Sequence, residues 1–257
     1  MKIYIPTRGR ANMQKTLSNL PAELQKLTYL VVDHGARDEY RATHKNVIEL
    51  PKSVTGIASI RQYIMENATD RYITMLDDDL RFQKTQKDWR IMDATPNEIL
   101  AAFRQMSQWL KEGYAHCSLC PRFIYYDKKD FFVKDFRMMH VLAYDVKTVL
   151  KAKCSFTKGV PKDFSMDDFH MTLQLLRSGH GNIVSLLHRT SPAVSNSRGG
   201  ASEWRTLASH NRSANLLAAI HAPFAKTKTK HGWQGMDGER QDVIVQWKKA
   251  AKAGNQK

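Results

Sequence analysis

An alternation of short apolar runs with helical segments constrains the fold of this chain more than any other feature of its sequence. Four runs typical of buried strands lie at residues 2–5, 29–32, 46–50 and 72–76. Between the last two, Ile57, Ile60, Ile64 and Ala68 recur at the spacing of an α-helix. Because strands that alternate with helices form parallel sheets, we expect an α/β fold with a mostly parallel central sheet flanked by helices. Ligands of such sheets bind at the carboxyl ends of the strands.

The same alternation continues to about residue 205, which sets the expected domain division. Helices are predicted at 96–110, 146–150, 164–178 and 202–220, and strands at 114–119, 138–143 and 182–187. The segment 125–136 mixes aromatic and charged residues and is predicted to be a hairpin or an exposed loop. We expect an α/β domain over residues 1–205. Residues 206–257 are expected to form a helical, basic extension packed on it, with a frayed polar tail.

Composition narrows the class of protein and its partners. The 257 residues include 40 Lys and Arg against 25 Asp and Glu, a formal net charge of +15. Such a basic domain favours a phosphate-bearing partner, namely nucleic acid, a nucleotide or an anionic membrane surface. No apolar run reaches the length of a transmembrane helix, so no membrane partner is expected. Three cysteines do not form a disulfide framework, which favours a cytoplasmic location. The sequence leaves the oligomeric state open.

Three adjacent carboxylates, Asp77, Asp78 and Asp79, follow directly after the apolar run YITML. Adjacent carboxylates repel one another and favour a counter-ion. Asp77 and Asp79 point to the same side of an extended segment, which suits a hard divalent cation, Mg²⁺ or Mn²⁺, that also binds phosphate oxygens. The alternative is a solvated turn or the start of a helix. Candidate arginines for a diphosphate near such a cation are Arg8, Arg10, Arg61 and Arg198.

Two further candidates lie later in the chain. Asp167 and Asp168 begin a predicted helix, where one of them could act as a general base, although an acid there also interacts favourably with the helix dipole. His188 ends a predicted strand and is either a metal ligand or a structural histidine.

Together these segments resemble the GT-A fold glycosyltransferases, in particular the inverting, family 2-like enzymes, from residue 1 to about 205. The opening KIYIPTRGR resembles the first strand and the nucleotide-contacting loop of that family, and VVDH resembles its second strand. The segment GIASIRQYIMENATDRYITMLDDDL resembles its glycine-to-arginine helix and DxD motif, and SMDDFHMTLQLLRSG resembles its catalytic helix. The chain departs from the family at Gln62, where Asn is commoner. The tryptophan motif is matched only in part, by Glu203-Trp204-Arg205.

The resemblance implies a nucleotide-sugar donor, most simply a UDP-sugar, bound with Mg²⁺ or Mn²⁺. Asp168 takes the place of the family's catalytic base, with Asp167 where Glu is usual, and Asp33 that of the acid that contacts the nucleoside. Metal ligands are expected among Asp79, Asp77 and His188. The remaining candidate donor-binding residues are Pro6, Thr7, Arg8, Gly56, Arg61, Asp77, Asp78 and Arg198.

Within this superfamily the chain is similar to phage transferases that modify DNA bases of the 5-hydroxymethylcytosine type. This likeness implies DNA as a partner, a base turned out of the duplex, and the host cytoplasm as location. Candidate contacts are the lysines Lys128, Lys129, Lys134, Lys226, Lys228 and Lys230 and the aromatics Tyr125, Tyr126 and Phe132. The alternatives are the same fold acting on a protein, lipid-linked or polysaccharide acceptor, a nucleic-acid-binding protein without catalysis, and a nucleotidyltransferase.

Overall fold

The computed structural model describes residues 1–124, 130–192, 206–233 and 236–256. The strands of the main sheet are β1 (Lys2–Pro6), β2 (Thr28–Val32), β3 (Val47–Glu49), β4 (Tyr72–Leu76), β5 (Arg81–Thr85), β6 (Ile91–Asp93), β7 (His116–Pro121), β8 (Phe132–Lys134), β9 (Val141–Asp145) and β10 (Asn182–Ser191). The helices of this part are α1 (Lys15–Asn19), α2 (Ala22–Gln25), α3 (Arg37–Arg41), α4 (Ile57–Asn67), α5 (Pro96–Lys111), α6 (Val146–Lys151) and α7 (Asp167–Arg177).

The central sheet confirms the expected α/β fold and is mixed rather than uniformly parallel. Its strand order is β3-β2-β1-β4-β9-β7-β10-β5-β6, and β8 pairs with β10. The first four strands are parallel, as expected from the strand–helix alternation. β9 is antiparallel to both of its neighbours, β4 and β7. Therefore β9 begins at the edge of the sheet where β4 and β7 end, and the residues that precede β9 meet the residues that follow β4.

Two buried clusters hold helices against the sheet. One contains Ile99, Phe103 and Met106 of α5, and the other contains Ile64 of α4 and Met171 of α7. The long helix α5 starts at a capping box, because the Thr95 hydroxyl and the Glu98 carboxylate each satisfy a backbone N–H of the first turn. Its apolar residues recur every three to four positions, so one face is buried along its whole length.

The C-terminal extension differs from the expected purely helical form. After helix α8 (Leu207–Ile220) the chain forms a two-stranded antiparallel hairpin of β11 (Ala225–Trp233) and β12 (Met236–Val245). Part of the polar tail forms helix α9 (Trp247–Gly254), with Ala250, Ala251 and Gly254 buried, and fraying of the tail stays a prediction. A Cβ at Gly254 would lie 2.0 Å from the Leu176 carbonyl oxygen, so this helix packs closely against α7. The expected domain boundary at residue 205 lies outside the described residues.

Among the described helices, none combines the length and the apolar character that crossing a bilayer requires. The two cysteines Cys117 and Cys120 lie in β7, and both are buried.

Candidate functional site

The loop after β1 is tied directly to the acid triplet after β4. Asp78 is buried, accepts a hydrogen bond from the Thr7 hydroxyl at 2.7 Å and forms an ion pair with the buried Arg10. Gln14 Nε2 donates to the Thr7 hydroxyl at 2.9 Å and to the Arg10 carbonyl at 2.7 Å. Both carboxylate oxygens of Asp78 are therefore engaged by the protein. The structure brings Thr7 and Asp78 together, and their donor-binding role stays a prediction.

Arg61 connects the triplet to the start of α7. Its guanidinium donates to Asp77 and to Asp167, each at 2.7 Å, and its side chain is only 7% exposed. Burial alone would lower the pKa of Arg61, but the charges of Asp167 and Asp77 more than offset this, so the pKa is raised. Arg61 thus holds two acidic segments at a fixed separation. A contact between Arg61 and the donor, expected from sequence, stays a prediction.

Of the three carboxylates in the triplet, Asp79 is the one with the least compensation from positively charged side chains. Its closest cation is Arg10, at 3.9 Å, and its side chain is 19% exposed. Burial, and then the charges of Asp77 and Asp78, raise the pKa of Asp79 to about 6. A divalent cation would offset this accumulation of negative charge. The oxygen donors of Asp79 and Asp77 at one strand end therefore fit Mg²⁺ or Mn²⁺, with donor phosphates and water as the other ligands.

Asp168 lies at the start of α7 beside the buried Asp167. Burial, and then the charge of Asp167, raise the pKa of Asp168 above its usual range. One of its carboxylate oxygens accepts the backbone N–H of Phe169 at 2.8 Å. A half-buried carboxylate with a raised pKa can take up a proton near neutral pH, as a general base must do.

The ends of β1 and β2 form the opposite side of the site. Arg8 Nε lies 3.0 Å from the Asp33 carboxylate, with side chains 52% and 35% exposed. Pro6, the last residue of β1, pairs with Val31 of β2. The structure therefore brings together Arg8, a candidate for the donor diphosphate, and Asp33, the acid expected to contact the nucleoside. The tryptophan motif and Arg198 lie outside the described residues.

Gly56, expected to contact the donor, has a structural requirement of its own. It precedes α4 with φ +83°, and a Cβ added there would lie 2.1 Å from the Lys162 carbonyl oxygen. Only glycine combines this backbone conformation with so close an approach of another segment. Gly56 therefore lets the loop that precedes α7 pack against the start of α4.

A strained backbone conformation alone costs about 1–3 kcal/mol. Because the clash with Lys162 adds to this strain, we expect Gly56→Ala to lower the free energy of unfolding by at least that amount. Gly35 is the matched control, since its φ is +82° but nothing lies within 4 Å of an added Cβ. Urea unfolding of the two variants should show the larger loss for Gly56→Ala. Equal losses would mean that the contact with Lys162 contributes nothing.

His188 is not brought to the acid triplet. His188 lies on β10 opposite Lys84 of β5. The part of β10 that pairs next to the acid triplet is Ser191, which lies opposite Arg81, two positions after Asp79. A strand rises about 3.3 Å per residue, so these positions on β10 are about 10 Å apart. Burial, and then the charge of Lys84, lower the pKa of His188 to about 4. The metal role of His188 stays a prediction.

In the part of the chain that the structure describes, no three His, Cys, Asp or Glu side chains group closely enough to hold a metal ion by themselves. A cation at Asp77 and Asp79 would therefore depend on oxygen ligands from the donor and from water.

Two residues of the site, His140 and Arg137, were not anticipated from the sequence. The His140 carbonyl accepts the backbone N–H of Asp77 at 2.9 Å, because β9 starts where β4 ends. His140 has φ +63°, an uncommon conformation for a residue with a side chain. The Arg137 guanidinium lies 4.9 Å from the centre of the Phe169 ring, one residue after Asp168. Only the antiparallel insertion of β9 brings these residues to the site, and no local sequence signal marks it.

Comparison with solved structures shows that S. aureus TarS shares this fold. A crystal structure of S. aureus TarS 1-349 in complex with UDP-GlcNAc matches with a TM-score of 0.51 and 12% identity, over 85% of this chain and 66% of that one. A structure of a mycobacterial protein matches with a TM-score of 0.49 and 10% identity, over 95% of this chain and 83% of that one. The chain spans less than two thirds of the length of the TarS fragments. Comparison with curated proteins gave no match.

A family model provides the assignment that these distant structural matches cannot. The model of the TET-associated glycosyltransferases matches residues 1–186 of the 257. The matched residues include β1, the acid triplet, Arg61 and the Asp167–Asp168 pair. This chain belongs to the TET-associated glycosyltransferase family.

Proposed function

We propose that this protein transfers a sugar from a UDP-sugar, with Mg²⁺ or Mn²⁺, to the hydroxymethyl group of a modified pyrimidine in DNA, with inversion at the anomeric carbon. The observation that carries the catalytic part is the bridge from Asp77 through Arg61 to Asp167. This bridge fixes Asp168, a carboxylate with a raised pKa, beside the acids suited to a diphosphate-bound cation.

Each acidic segment has a distinct task in the proposed reaction. The Asp168 carboxylate takes the proton of the acceptor hydroxyl as its oxygen attacks the anomeric carbon. The bond from that carbon to the donor diphosphate breaks, and the nucleoside diphosphate leaves with the electron pair. Arg8 and Asp33, at the ends of β1 and β2, bind the nucleoside part of the donor. Asp79 and Asp77 would hold the metal ion, which stabilises the negative charge on the leaving diphosphate when it is bound.

The choice of a UDP-sugar is supported by the fold shared with TarS, which was crystallised with UDP-GlcNAc. The inverting outcome is supported by the position of Asp168 at the start of α7, where the resembling inverting enzymes carry their base. The identity of the sugar is a matter for the assay below.

The choice of DNA as acceptor is supported by charge and by family. The net charge of +15 far exceeds what one diphosphate needs, and it suits a polyanion. Lys226 and Lys228 are exposed on β11, and among the described residues neither has an ion-pair partner. The family name links these transferases to TET proteins, and a hydroxymethyl pyrimidine offers the hydroxyl that a transferase requires.

A transfer assay tests the proposal as a whole. The protein is incubated with Mn²⁺, Mg²⁺ or EDTA, a panel of sugar nucleotides, and DNA that contains 5-hydroxymethylcytosine or 5-hydroxymethyluracil. The DNA is then digested, and the masses of its nucleosides are measured by mass spectrometry. A hexose- or pentose-sized gain on the modified base, lost with EDTA, is the expected result. Metal-dependent hydrolysis of a sugar nucleotide without any gain would keep the transferase and reject DNA as the acceptor.

Neutralising the hairpin lysines should weaken DNA binding through the loss of phosphate contacts. We expect Lys226→Gln and Lys228→Gln each to reduce the slope of log affinity against log salt by about one. Lys230→Gln is the matched control, because Lys230 already pairs with Asp242 at 2.6 Å. Fluorescence anisotropy with labelled DNA over a salt series measures the slopes. An unchanged slope for both exposed lysines would exclude this hairpin from the DNA interface.

A further inference from the structure

Phe123 is an exposed aromatic residue on a rigid turn. Its side chain is 61% exposed, the highest value among the large apolar side chains whose exposure the structure describes. It is the third residue of a β-turn after β7, closed by the Ile124 N–H that donates to the Pro121 carbonyl at 3.1 Å. A hydrogen bond also holds the turn to the core, since the buried Arg189 donates to the Ile124 carbonyl at 2.8 Å. The structure thus presents an apolar ring to solvent from a fixed backbone.

Two sets of contacts connect this ring to the catalytic acids. The Phe123 ring meets the His140 ring edge-on at 6.3 Å, and the His140 carbonyl binds the N–H of Asp77. The Arg137 guanidinium lies 5.8 Å from the Phe123 ring and 4.9 Å from the ring of Phe169, the residue after Asp168. Phe123 therefore lies at the rim of the same site, next to both acidic segments.

The strand order places Phe123 on the acceptor side of the site. The proposed nucleoside contacts follow β1 and β2, on one side of β4, whereas Phe123 follows β7, on the other side of β4 beyond β9. The acids after β4 and at the start of α7 lie between the two sides. A ligand on Phe123 therefore approaches the reaction centre from the direction opposite to the nucleoside of the donor.

The surroundings of the ring suit a planar, polar ligand. Two buried polar atoms nearby, His140 Nδ1 and Arg137 Nε, have no hydrogen-bond partner within the described structure. The Nδ1 atom of the His140 imidazole is a hydrogen-bonding group that a ligand on Phe123 could satisfy. Among the described residues, Arg137 has no carboxylate within ion-pair distance, so its charge is available to an electron-rich ring or to a phosphate.

We propose that Phe123 is the stacking platform for the acceptor base: the ring of an unpaired or extrahelical pyrimidine lies flat on Phe123, with its hydroxymethyl group directed toward Asp168. This inference rests on the proposed function, because it assumes that the acceptor is a nucleobase. A pyrimidine has the π-face that stacks on an aromatic side chain, and an enzyme that acts on a duplex base has to turn that base out of the stack.

The test compares Phe123→Ala with Phe123→Trp, which retains a stacking surface, and with Phe131→Ala, which removes another exposed phenylalanine, 38% exposed. We expect Phe123→Ala to raise the KM for DNA with 5-hydroxymethylcytosine by roughly 5- to 150-fold, the equivalent of one lost base–aromatic stack. Affinity for UDP and hydrolysis of the sugar nucleotide in water should not change. Phe123→Trp should retain the wild-type KM, and Phe131→Ala should behave like the wild type.

Three results would overturn the inference, and each has a different meaning. If the wild type modifies DNA and Phe123→Ala does so with an unchanged KM, the platform is wrong while the proposed function stands. If the wild type modifies no DNA base, the proposed function fails and the inference fails with it. Loss of UDP affinity in Phe123→Ala would also count against it, because the ring would then belong to the donor side.

Discussion

Replacing Asp168 with Asn is expected to reduce sugar transfer by at least 10²- to 10⁴-fold, the usual contribution of a general base. The amide is almost the same size as the carboxylate but cannot accept a proton from the acceptor hydroxyl. Asp77, Asp79 and Arg61 remain in place, so affinity for the sugar nucleotide should change little. Single-turnover transfer and calorimetric titration with UDP measure the two quantities separately.

The pH dependence of the wild type provides a second test of the same assignment. Because burial and Asp167 raise the pKa of Asp168, the base becomes protonated as the pH falls through a value above the usual carboxyl range of about 4. Transfer should therefore decline on the acid side already at mildly acidic pH, and this limb should be absent from the residual activity of Asp168→Asn.

Asp163→Asn is the control for this variant, since Asp163 is exposed and its ion-pair partner among the described residues is the exposed Arg212, at 2.8 Å. It should retain the activity and the pH profile of the wild type. Loss of UDP binding in Asp168→Asn would instead assign Asp168 to the donor site and remove it as the base.

The helices and strands predicted correctly are those in which the periodicity of apolar residues matches the side chains that the fold buries. The run 72–76 is strand β4, and the segment with helical spacing is α4, whose Ile60 and Ile64 face the core as their periodicity predicts. The position of the acid triplet follows from the same reasoning, since a buried strand delivers its next residues to the edge of the sheet.

The missed elements depend on contacts between distant segments. The hairpin β11–β12 contains the sequence AKTKTKHGW, whose lysines and threonines give no apolar alternation, so the sequence predicts a basic helical extension instead. The hairpin is stabilised by the pairing of its two strands and by contacts from the adjacent helix α8. Asn211 of α8 donates to the Glu239 carbonyl at 3.0 Å and accepts the Gln241 N–H at 2.8 Å. These groups lie on the β12 edge, which the helix thus satisfies.

In the candidate site, too, local sequence predicts some features, whereas others depend on contacts between distant segments. Sequence identified the acids and Arg61 as residue types suited to the chemistry, but it could not show that Arg61 is occupied by Asp77 and Asp167. Nor could it place His140 and Arg137, because their position depends on β9 running antiparallel between β4 and β7. Pairing partners of strands are set by the whole fold, whereas residue chemistry is local.

The ion pairs of Arg61 should have a large effect on stability. In Arg61→Met the buried Asp167, 2% exposed, loses its partner and becomes an uncompensated buried charge. Breaking a buried pair in this way usually costs about 3–5 kcal/mol. We therefore expect a loss of this size in the free energy of unfolding, measured by urea denaturation. Arg212→Met, which breaks an exposed pair, should cost at most about 1 kcal/mol.

The double variant Arg61→Met/Asp167→Asn separates the ion pair from simple packing. If the loss comes from the stranded charge, neutralising Asp167 should recover much of it, and the double-mutant cycle should give a coupling energy well above 1 kcal/mol. Additive losses would mean that Arg61 stabilises the fold through packing of its side chain alone. In that case the link between the acid triplet and α7 would be geometric coincidence, and the positioning of Asp168 would need another cause. A strong coupling would instead tie the stability of the fold to the same contacts that set the two acidic segments side by side.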